Sequence, residues 1–338
     1  MSVPPNGGPA LRVLMITSEW PSEPGHTAHF IARQARFLSA AGVRLEVFTF
    51  RGGRHPLRYL AAWVRLRRRL ARERYDIVHA QFGQSGLLAL PKRLPLVVTF
   101  RGDDLFGIRD SKGRTTPVGR LLQRLSRLVA RQADATIVVS EHLTHYLDHS
   151  GPVHVVPSGI DLDLFRRIPR DEARRHLGLP REGHLVLFVG DPADPRKRYA
   201  LAREAVRSLN GSVSAQLVIA WRAPHAAMPF YMNASDALVF TSLQEGSPNA
   251  VKEALACDLP VVSVAVGDVA CRLEGIPGCE VCADDNPATI AAALQRTLAR
   301  GARAEGLGRE AARQLDERLL TQRVIAIYRS VLAALDEH

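Results

Sequence analysis

The chain has 338 residues, 46% of them hydrophobic and 23% charged, with a formal net charge of +11. This suits two globular domains and excludes a disordered chain, a collagen-like fibre and a disulfide-stapled miniprotein. No apolar run approaches the roughly 20 residues of a membrane-spanning helix, and the start lacks a signal-peptide pattern. We therefore expect residues 1–10 to be a disordered tail and the protein to be cytoplasmic.

The positive charge lies in the first half of the chain. Residues 1–160 hold 23 Lys and Arg against 11 Asp and Glu, whereas residues 161–338 hold 22 against 23. A basic half attracts an anionic partner: a phosphate-bearing substrate, an acidic membrane face or a nucleic acid. The sequence carries no zinc finger, RNP-type aromatic motif or basic zipper, so we do not expect nucleic acid as a partner.

In chain order, short β-branched runs alternate with helical segments. Near-continuous apolar strands in such an alternation predict a parallel sheet covered on both faces. We assign 11–165 to an N-terminal Rossmann-like domain, with predicted strands at 11–17, 43–50, 76–80, 95–100, 135–139 and 153–157 and the longer basic helices at 57–74 and 118–132.

A polar, turn-rich stretch then interrupts the alternation, and we interpret 166–182 as a linker with one short helix. A second Rossmann-like domain is assigned to 183–315, and 316–338 to a C-terminal helix with the option of returning to the first domain. Two doubly wound α/β domains in tandem predict a central cleft, because open α/β sheets bind ligands at the carboxyl ends of their strands. The predicted strands of this domain are 185–190, 215–220, 237–242 and 259–264, and its helices are 199–209, 247–256 and 287–298.

The loop after strand 237–242 carries the most informative chemistry. It holds Glu245 and Gly246, and a helix is predicted to begin with Ser247 as N-cap and Pro248 in the first helical position. A helix amino terminus offers N–H donors to an anion, and glycine lets a ligand approach the backbone. Glu253, inside the helix, adds a second carboxylate, and two such acceptors suit the hydroxyl groups at the two ends of a nucleotide sugar. Alone, this spacing also fits a surface loop and a solvated helix.

Two further loops belong to the same predicted site. Arg196, Lys197 and Arg198 follow strand 185–190, and a diphosphate leaving group needs such cations because negative charge develops on it. A solvated basic helix start is the alternative. The loop after strand 11–17 contains Gly25, His26 and His29, but neither G-x-G-x-x-G nor a P-loop motif occurs, so dinucleotide binding has little support.

The four cysteines lie in the second half, where Cys279 and Cys282 form a C-x-x-C pair. Such a pair fits half a zinc site or a redox centre, but no His or second C-x-x-C stands at ligand spacing. Because cysteine is a common buried hydrophobic residue, we favour a structural role.

From about Leu11 to Leu335 the sequence resembles the retaining GT-B glycosyltransferases, in particular glycosyltransferase family 4. The resemblance is carried by EGSPNAVKE, VVPSGIDLDLF, DPRKRYALAREAV and YMNASDALVFTSLQEG. It implies a GT-B fold of two Rossmann-like domains that binds a nucleoside-diphosphate sugar, with the acceptor mainly on the first domain and no metal or other cofactor.

The resemblance also implies residue roles. Glu245 would bind hydroxyls of the transferred sugar, Glu253 the ribose, and Lys197 with Arg196 the diphosphate. The expected catalytic residues are Glu245, Lys197, Arg196 and Arg101. The expected donor-binding residues are Glu253, Gly246, Ser247, Pro248, Asn249, Gly25 and Ser158. We assign His26, His29 and Asp103 to the acceptor or sugar side.

The chain departs from the family pattern at several positions. Arg101 stands where the family commonly has a His, and Gln81 where a second His is frequent. Arginine cannot act as a base because it stays protonated, but it can clamp a phosphate or orient a hydroxyl. Asp191 replaces a common Arg, and the segment after strand 215–220 is shortened.

The implied reaction is retaining sugar transfer to a hydroxyl by same-face substitution. Two alternatives stay open: a sugar-nucleotide 2-epimerase on the same fold, and a non-catalytic GT-B adaptor at the membrane. Helices 57–74 and 118–132 favour a peripheral site on an anionic membrane, with Tyr59 and Trp63 as anchors, and hence a lipid-linked or cell-surface glycan acceptor, although a small-molecule acceptor is also compatible. Ordinary sheet-covering helices with solvated arginines are the competing interpretation.

Overall fold

The computed structural model describes residues 10–21, 28–53, 55–108, 114–209, 213–301 and 306–336. The expected tail, apart from Ala10, lies outside these residues, and so do Gly25 and His26. The described chain divides into two compact units. The first holds the residues up to Gly159 together with those from Glu317 onward, and the second runs from Ile160 to Asp316.

The first unit forms, in its described residues, a six-stranded parallel sheet in the order β2-β1-β3-β4-β5-β6. Its strands are β1 (Arg12–Thr17), β2 (Arg44–Thr49), β3 (Ile77–Gln81), β4 (Leu96–Phe100), β5 (Ala135–Val138) and β6 (Val153–Val155). The helices between them are α1 (His29–Ala40), α2 (Pro56–Arg72), α3 (Gly83–Gly86), α4 (Asp103–Phe106) and α5 (Pro117–Gln132). The central strands β3, β4 and β5 are buried throughout, as their mostly apolar sequences predict.

The second unit forms, in its described residues, a five-stranded parallel sheet in the order β11-β10-β9-β7-β8. Its strands are β7 (His184–Val189), β8 (Ala215–Ala220), β9 (Ala237–Phe240), β10 (Val261–Val264) and β11 (Glu280–Cys282). Its helices are α6 (Arg170–Leu177), α7 (Tyr199–Arg207), α8 (Met228–Ala234), α9 (Asn249–Ala256), α10 (Val269–Leu273), α11 (Pro287–Ala299) and α12 (Leu307–Arg313). The edge strand β11 was not predicted, because it is short and ends in the C-x-x-C pair.

The segment 166–182, interpreted as a linker from its sequence, lies within the second unit. It contains α6, and the Arg174 side chain is completely buried beside Asp236, with 2.9 Å between Nη2 and Oδ2. The Arg174 guanidinium also donates to the carbonyl oxygens of Pro180, Arg181, Gly183 and Ala234. The segment is therefore part of the folded second unit, and its Arg174 is a buried guanidinium that satisfies local carbonyl groups.

The last helix, α13 (Glu317–Asp336), is grouped with the first unit. Arg33 of α1 donates to Glu317 across 3.1 Å, and both side chains are buried. Tyr328 lies farther along α13, and its hydroxyl is 2.6 Å from Nδ1 of the buried His79 on β3. Burial, with the nearby charge of Arg101, lowers the pKa of His79 to about 3, so this imidazole is neutral at physiological pH.

Helices cover both faces of each sheet. In the first unit, α1 and α13 pack on one face and α2 and α5 on the other. In the second unit, α7 and α11 pack on one face and α8, α9 and α10 on the other. Within the described part of the chain, no helix is both long enough and apolar enough to cross a membrane.

Candidate active site

Lys197 and Glu245 form an ion pair at the carboxyl ends of neighbouring strands. Lys197 ends a 3-10 turn (Pro195–Lys197) that follows β7, and Glu245 follows β9. Because β7 and β9 are adjacent and parallel, their following loops meet at one edge of the sheet. Lys197 Nζ donates to Glu245 Oε1 across 2.5 Å. The structure therefore brings together the cation and the acid that were expected to bind the diphosphate and the sugar.

Gly190 packs closely against the aliphatic part of the Lys197 side chain. It has a φ of +140°, and a Cβ at this position would lie 3.2 Å from Lys197 Cγ. Its N–H donates to the carbonyl oxygen of Ala220, the last residue of β8. A glycine is needed here because the backbone conformation and the close approach of the lysine stem both disfavour a side chain.

The two neighbouring arginines have other partners. The exposed Arg196 pairs with Asp194 of its own loop, with 2.9 Å between Nη2 and Oδ2. Arg198 has a φ of +50°, donates through Nε to the carbonyl oxygen of Thr241 at 2.6 Å and pairs with Asp285. In the described part of the chain, Lys197 is therefore the member of this basic run whose side chain contacts Glu245.

Helix α9 begins later than its sequence predicts. Its first residue is Asn249, and Pro248 precedes the helix, so Ser247 is not the N-cap and Pro248 is not in the first helical position. Ser247 Oγ instead donates to Oδ2 of Asp268 at 2.8 Å, which also accepts from Arg272. The hydroxyl thus ties the loop that precedes α9 to the loop that follows β10.

Gly267, next to Asp268, packs against the Glu245 loop. A Cβ at Gly267 would lie 2.9 Å from the carbonyl oxygen of Glu245 and 3.0 Å from that of Gly246. Its φ of +57° is in the left-handed region that favours glycine. The backbone of Glu245 and Gly246 is consequently held in place by a close glycine contact.

Glu253 lies inside α9 and is only 6% exposed, so it is not a solvated helix residue. The imidazole Nε2 of His225 lies 3.5 Å from Glu253 Oε1. The His225 ring also packs edge-on against Phe165, with 5.4 Å between ring centroids. Glu253 is therefore a buried carboxylate close to the loop that follows β8.

Arg101 forms a separate polar centre in the first unit. Its Nη1 donates to Ser158 Oγ at 2.5 Å and its Nη2 to Gln81 Oε1 at 2.6 Å. The guanidinium also lies 4.5 Å from the ring centroid of Phe30. Burial lowers the pKa of Arg101 to about 10, which still leaves it charged at neutral pH. Two expected site residues, Arg101 and Ser158, are therefore in direct contact.

The carboxylates after β4 have different environments. Asp104 is buried and accepts the backbone N–H groups of Gly83, Arg101 and Gly102. Burial raises the pKa of Asp104 to about 6. Asp103, the expected acceptor-side residue, is exposed at the first position of α4. His29 is half-buried at the first position of α1.

The two cysteines of the C-x-x-C pair are not joined by a disulfide bond. Cys279 and Cys282 are free thiols, and burial raises the pKa of each to about 11. Cys279 Sγ accepts the backbone N–H of Val261 at 3.3 Å. Among the described residues, no group of three or more His, Cys, Asp or Glu side chains is arranged to hold a metal ion.

Comparison with known proteins identifies the family. Residues 6–164 match the model for Glycosyltransferase Family 4, and residues 182–300 match the model for Glycosyl transferases group 1. A D-inositol 3-phosphate glycosyltransferase from Frankia alni is 30% identical over 272 residues, which are 66% of this chain and 66% of that protein. The chain belongs to glycosyltransferase family 4. It spans between 54% and 73% of the lengths of the first three curated relatives that it matches.

Solved structures confirm that this family 4 chain has the GT-B fold. Sucrose-phosphate synthase from Thermosynechococcus elongatus superposes with a TM-score of 0.82 at 18% identity, covering 96% of this chain and 100% of that one. HepE from Anabaena, in complex with UDP and glucose, superposes with a TM-score of 0.74 at 16% identity, covering 95% and 100%. The expected doubly wound parallel-sheet domains are confirmed by these matches and by the two sheets.

Sequence reasoning missed several residues that lie around the candidate site of this family 4 chain. Asp268 and Gly267 follow β10, and they contact Ser247 and the backbone of Glu245. His225 follows β8, and its ring lies close to Glu253. Each contact joins residues about 20 or more positions apart, so no local motif signals it. The order of parallel strands was the available signal, because it places the loops after β8, β9 and β10 at one edge.

The basic helices of this family 4 chain differ from expectation in their aromatic residues. Trp63 Nε1 donates to the carbonyl oxygen of Leu90 at 2.8 Å, and Tyr59 packs edge-on against Phe50. Both rings are therefore used within the fold and do not serve as outward anchors. The exposed apolar side chains are instead aliphatic: Leu57 and Leu60 on α2, and Val118, Leu121 and Leu128 on α5.

Proposed function

We propose that this chain is a retaining glycosyltransferase that moves a sugar from a nucleoside-diphosphate sugar to a hydroxyl acceptor without a metal ion. The observation that carries the proposal is the contact of 2.5 Å between Lys197 Nζ and Glu245 Oε1. A cation for the diphosphate and a carboxylate for sugar hydroxyls lie side by side, where parallel sheets bind ligands. Family membership supports the same assignment.

In the proposed complex, each donor group has a protein partner. The Lys197 ammonium would neutralise charge on the diphosphate, assisted by the N–H groups of the first turn of α9. Glu245 would accept hydroxyl protons of the transferred sugar, and the buried Glu253 would accept those of the ribose. The exposed Arg196 would join the diphosphate only by leaving Asp194, so we assign it a lesser part than Lys197.

The proposed reaction is a same-face substitution. The bond between the anomeric carbon and the diphosphate oxygen breaks, and the acceptor oxygen bonds to the same face of that carbon. The acceptor proton passes to an oxygen of the departing phosphate. No protein base is then required, which suits a chain with Arg101 where the family commonly has His. The protein contributes positioning and charge stabilisation.

We propose UDP-glucose as the first donor to examine, because HepE, which shares the fold, was crystallised with UDP and glucose. The acceptor is proposed to be anionic. Residues 1–160 hold 23 Lys and Arg against 11 Asp and Glu, and the relative from Frankia alni is named for D-inositol 3-phosphate. A phosphate-bearing small molecule and a lipid-linked glycan both meet this requirement.

We further propose that α5, with α2, places the chain on an anionic membrane surface. The exposed face of α5 carries Val118, Leu121 and Leu128, and four exposed arginines lie beside them: Arg120, Arg124, Arg127 and Arg131. Neither α2 nor α5 contains an Asp or Glu. An outward face of mixed leucine and arginine is suited to the boundary between lipid headgroups and acyl chains.

Thermal unfolding with a panel of nucleotides and nucleotide sugars tests the donor site, since a ligand that binds only the folded chain raises the melting temperature. Donors that bind are then incubated with acceptors, and the anomeric configuration of the product is read by NMR. Retention supports the proposal and inversion overturns it. A changed sugar nucleotide formed without acceptor indicates the 2-epimerase, and binding without turnover of any donor indicates the adaptor.

A further inference from the structure

An exposed tryptophan follows the edge strand of the second sheet. Trp221 comes directly after β8 and keeps 43% of its surface accessible. The Arg222 guanidinium carbon lies 4.5 Å from the centroid of its ring, and Arg222 has a φ of +56°. A non-glycine residue in the left-handed region is uncommon, and such conformations concentrate at ligand sites.

One end of this loop adjoins the Lys197 site. The residue before Trp221 is Ala220, whose carbonyl oxygen accepts the N–H of Gly190 at 3.2 Å. Gly190 in turn lies beneath the stem of Lys197. Trp221 is therefore one residue beyond a backbone contact with the loop that carries the proposed diphosphate cation.

The other end of the loop adjoins Glu253. His225 begins a 3-10 turn (His225–Ala227), and its Nε2 lies 3.5 Å from Glu253 Oε1. Residues 221–225 thus connect the surroundings of Lys197 to the surroundings of Glu253. In a nucleoside diphosphate the ribose separates the phosphates from the base, so a base joined to a ribose at Glu253 lies within reach of this loop.

We propose that Trp221 is the stacking platform for the nucleobase of the donor, held in place by Arg222. The inference rests on the proposed donor site at Lys197, Glu245 and Glu253. Every base has a flat π face, so an indole gives affinity for the base without selecting among uracil, guanine and adenine. The Arg222 guanidinium lies against the Trp221 indole, where it forms a cation–π contact and limits the motion of the indole ring.

Intrinsic fluorescence tests the proposal directly, because the chain has three tryptophans and the other two, Trp20 and Trp63, belong to the first unit. UDP, GDP and ADP are titrated into the wild-type protein, and the tightest ligand is kept. We expect it to quench the emission. Trp221→Phe should lose the quenching while it retains binding measured by calorimetry, and Trp63→Phe, the matched control, should keep the quenching.

Affinity separates base stacking from a general effect on the site. We expect Trp221→Ala to weaken binding of the chosen nucleotide roughly tenfold, and to leave the affinity for inorganic pyrophosphate unchanged, because pyrophosphate has no base. Full quenching in Trp221→Phe, or wild-type nucleotide affinity in Trp221→Ala, overturns the inference and leaves the donor site standing. If neither nucleotides nor pyrophosphate bind the wild-type protein, the donor site and the stacking platform fall together.

Discussion

Lys197 Nζ and Glu245 Oε1 are 2.5 Å apart, so the cation and the acid offset each other's charge. Neither side chain is fully buried, which lets both exchange partners. In the proposed donor complex, the ammonium would turn to the diphosphate while the carboxylate turns to a sugar hydroxyl. The ion pair therefore holds both functional groups in position, with each charge balanced by the other.

We expect Lys197→Ala and Glu245→Gln each to reduce sugar transfer at least 100-fold while the melting temperature changes little. In well-studied enzymes, removing one hydrogen-bond donor that stabilises the charge developing in the transition state lowers kcat about 10²–10³-fold. Steady-state kinetics with the donor found by thermal shift measures the effect. Arg207→Ala is the matched control, because Arg207 is an exposed cation at the other end of α7. Transfer near the wild-type rate in both site variants would remove the assignment.

A second prediction concerns the glycine behind Glu245. Gly267→Ala should reduce donor affinity and lower the free energy of unfolding, because its Cβ would lie 2.9 Å from the carbonyl oxygen of Glu245. Gly178→Ala is the control: Gly178 has a similar φ of +64° and no atom within 4 Å of the added Cβ. Both variants carry left-handed strain of about 1 kcal/mol. We expect only Gly267→Ala to weaken donor binding by calorimetry, and equal donor affinity in the two variants would contradict the role of this contact.

The third prediction concerns the arginine that replaces the family histidine. Arg101 uses two different nitrogens for Ser158 and Gln81, and a lysine has one ammonium in place of this planar fork. Arg101→Lys should lower kcat roughly tenfold or more while the melting shift with the donor stays unchanged. Arg120→Lys on the exposed face of α5 is the control. If Arg101→Lys retains full turnover, charge alone is sufficient at this position.

The fold was predictable because parallel sheets leave a strong local signal. The fully buried strands β3, β4 and β5 are short, mostly apolar runs rich in Ile and Val, so this local pattern located them. The start of α9 was predicted two residues early, because Ser247 and Pro248 satisfy N-cap and N1 preferences in general. Here the Ser247 hydroxyl donates to Asp268 instead of capping the helix, so a tertiary hydrogen bond overrides the local N-cap preference.

The candidate site was predictable where one loop supplies it, and less so where several loops meet. The motif around Glu245 and the basic run around Lys197 were visible as sequences, but their contact depends on the adjacency of β7 and β9. From the sequence, Arg196 and Lys197 were both expected to bind the diphosphate. The ion pair between Arg196 and Asp194 could not be inferred from the local sequence. The burial of Arg174 was not predictable either. Its charge suggested a polar linker, although its side chain is completely buried.

The fourth prediction is a pH dependence of stability. Burial lowers the pKa of His79 to about 3, from about 6.5 in an unfolded chain. Between these values the unfolded chain binds a proton that the folded chain does not, so the free energy of unfolding falls as pH falls, by up to about 1.4 kcal/mol per pH unit. Asp104 acts oppositely: its pKa is raised to about 6, so the folded chain binds that proton first.

Urea unfolding at a series of pH values from 6.5 to 4 separates these contributions. We expect the wild-type protein to lose stability more steeply than His79→Gln as pH falls, because the variant lacks the titrating imidazole. Asp104→Asn should show the reverse difference, with a steeper loss than the wild type below pH 6. If the wild-type and His79→Gln curves run parallel over this range, His79 does not titrate differently in the folded and unfolded chains.

The last prediction concerns the exposed face of α5. Leu121 is 55% exposed and Leu128 46%, next to the arginines of the same helix. Leu121→Ser with Leu128→Ser should reduce binding to vesicles that contain phosphatidylglycerol about tenfold, because two apolar side chains no longer enter the lipid boundary. Cosedimentation measures the bound fraction. The control replaces two equally exposed leucines of α13, Leu319 and Leu335, by serine. Salt should weaken binding of the wild type by screening the arginines. Equal binding to neutral and anionic vesicles, or an equal loss in the α13 control, would contradict a membrane-facing role for α5.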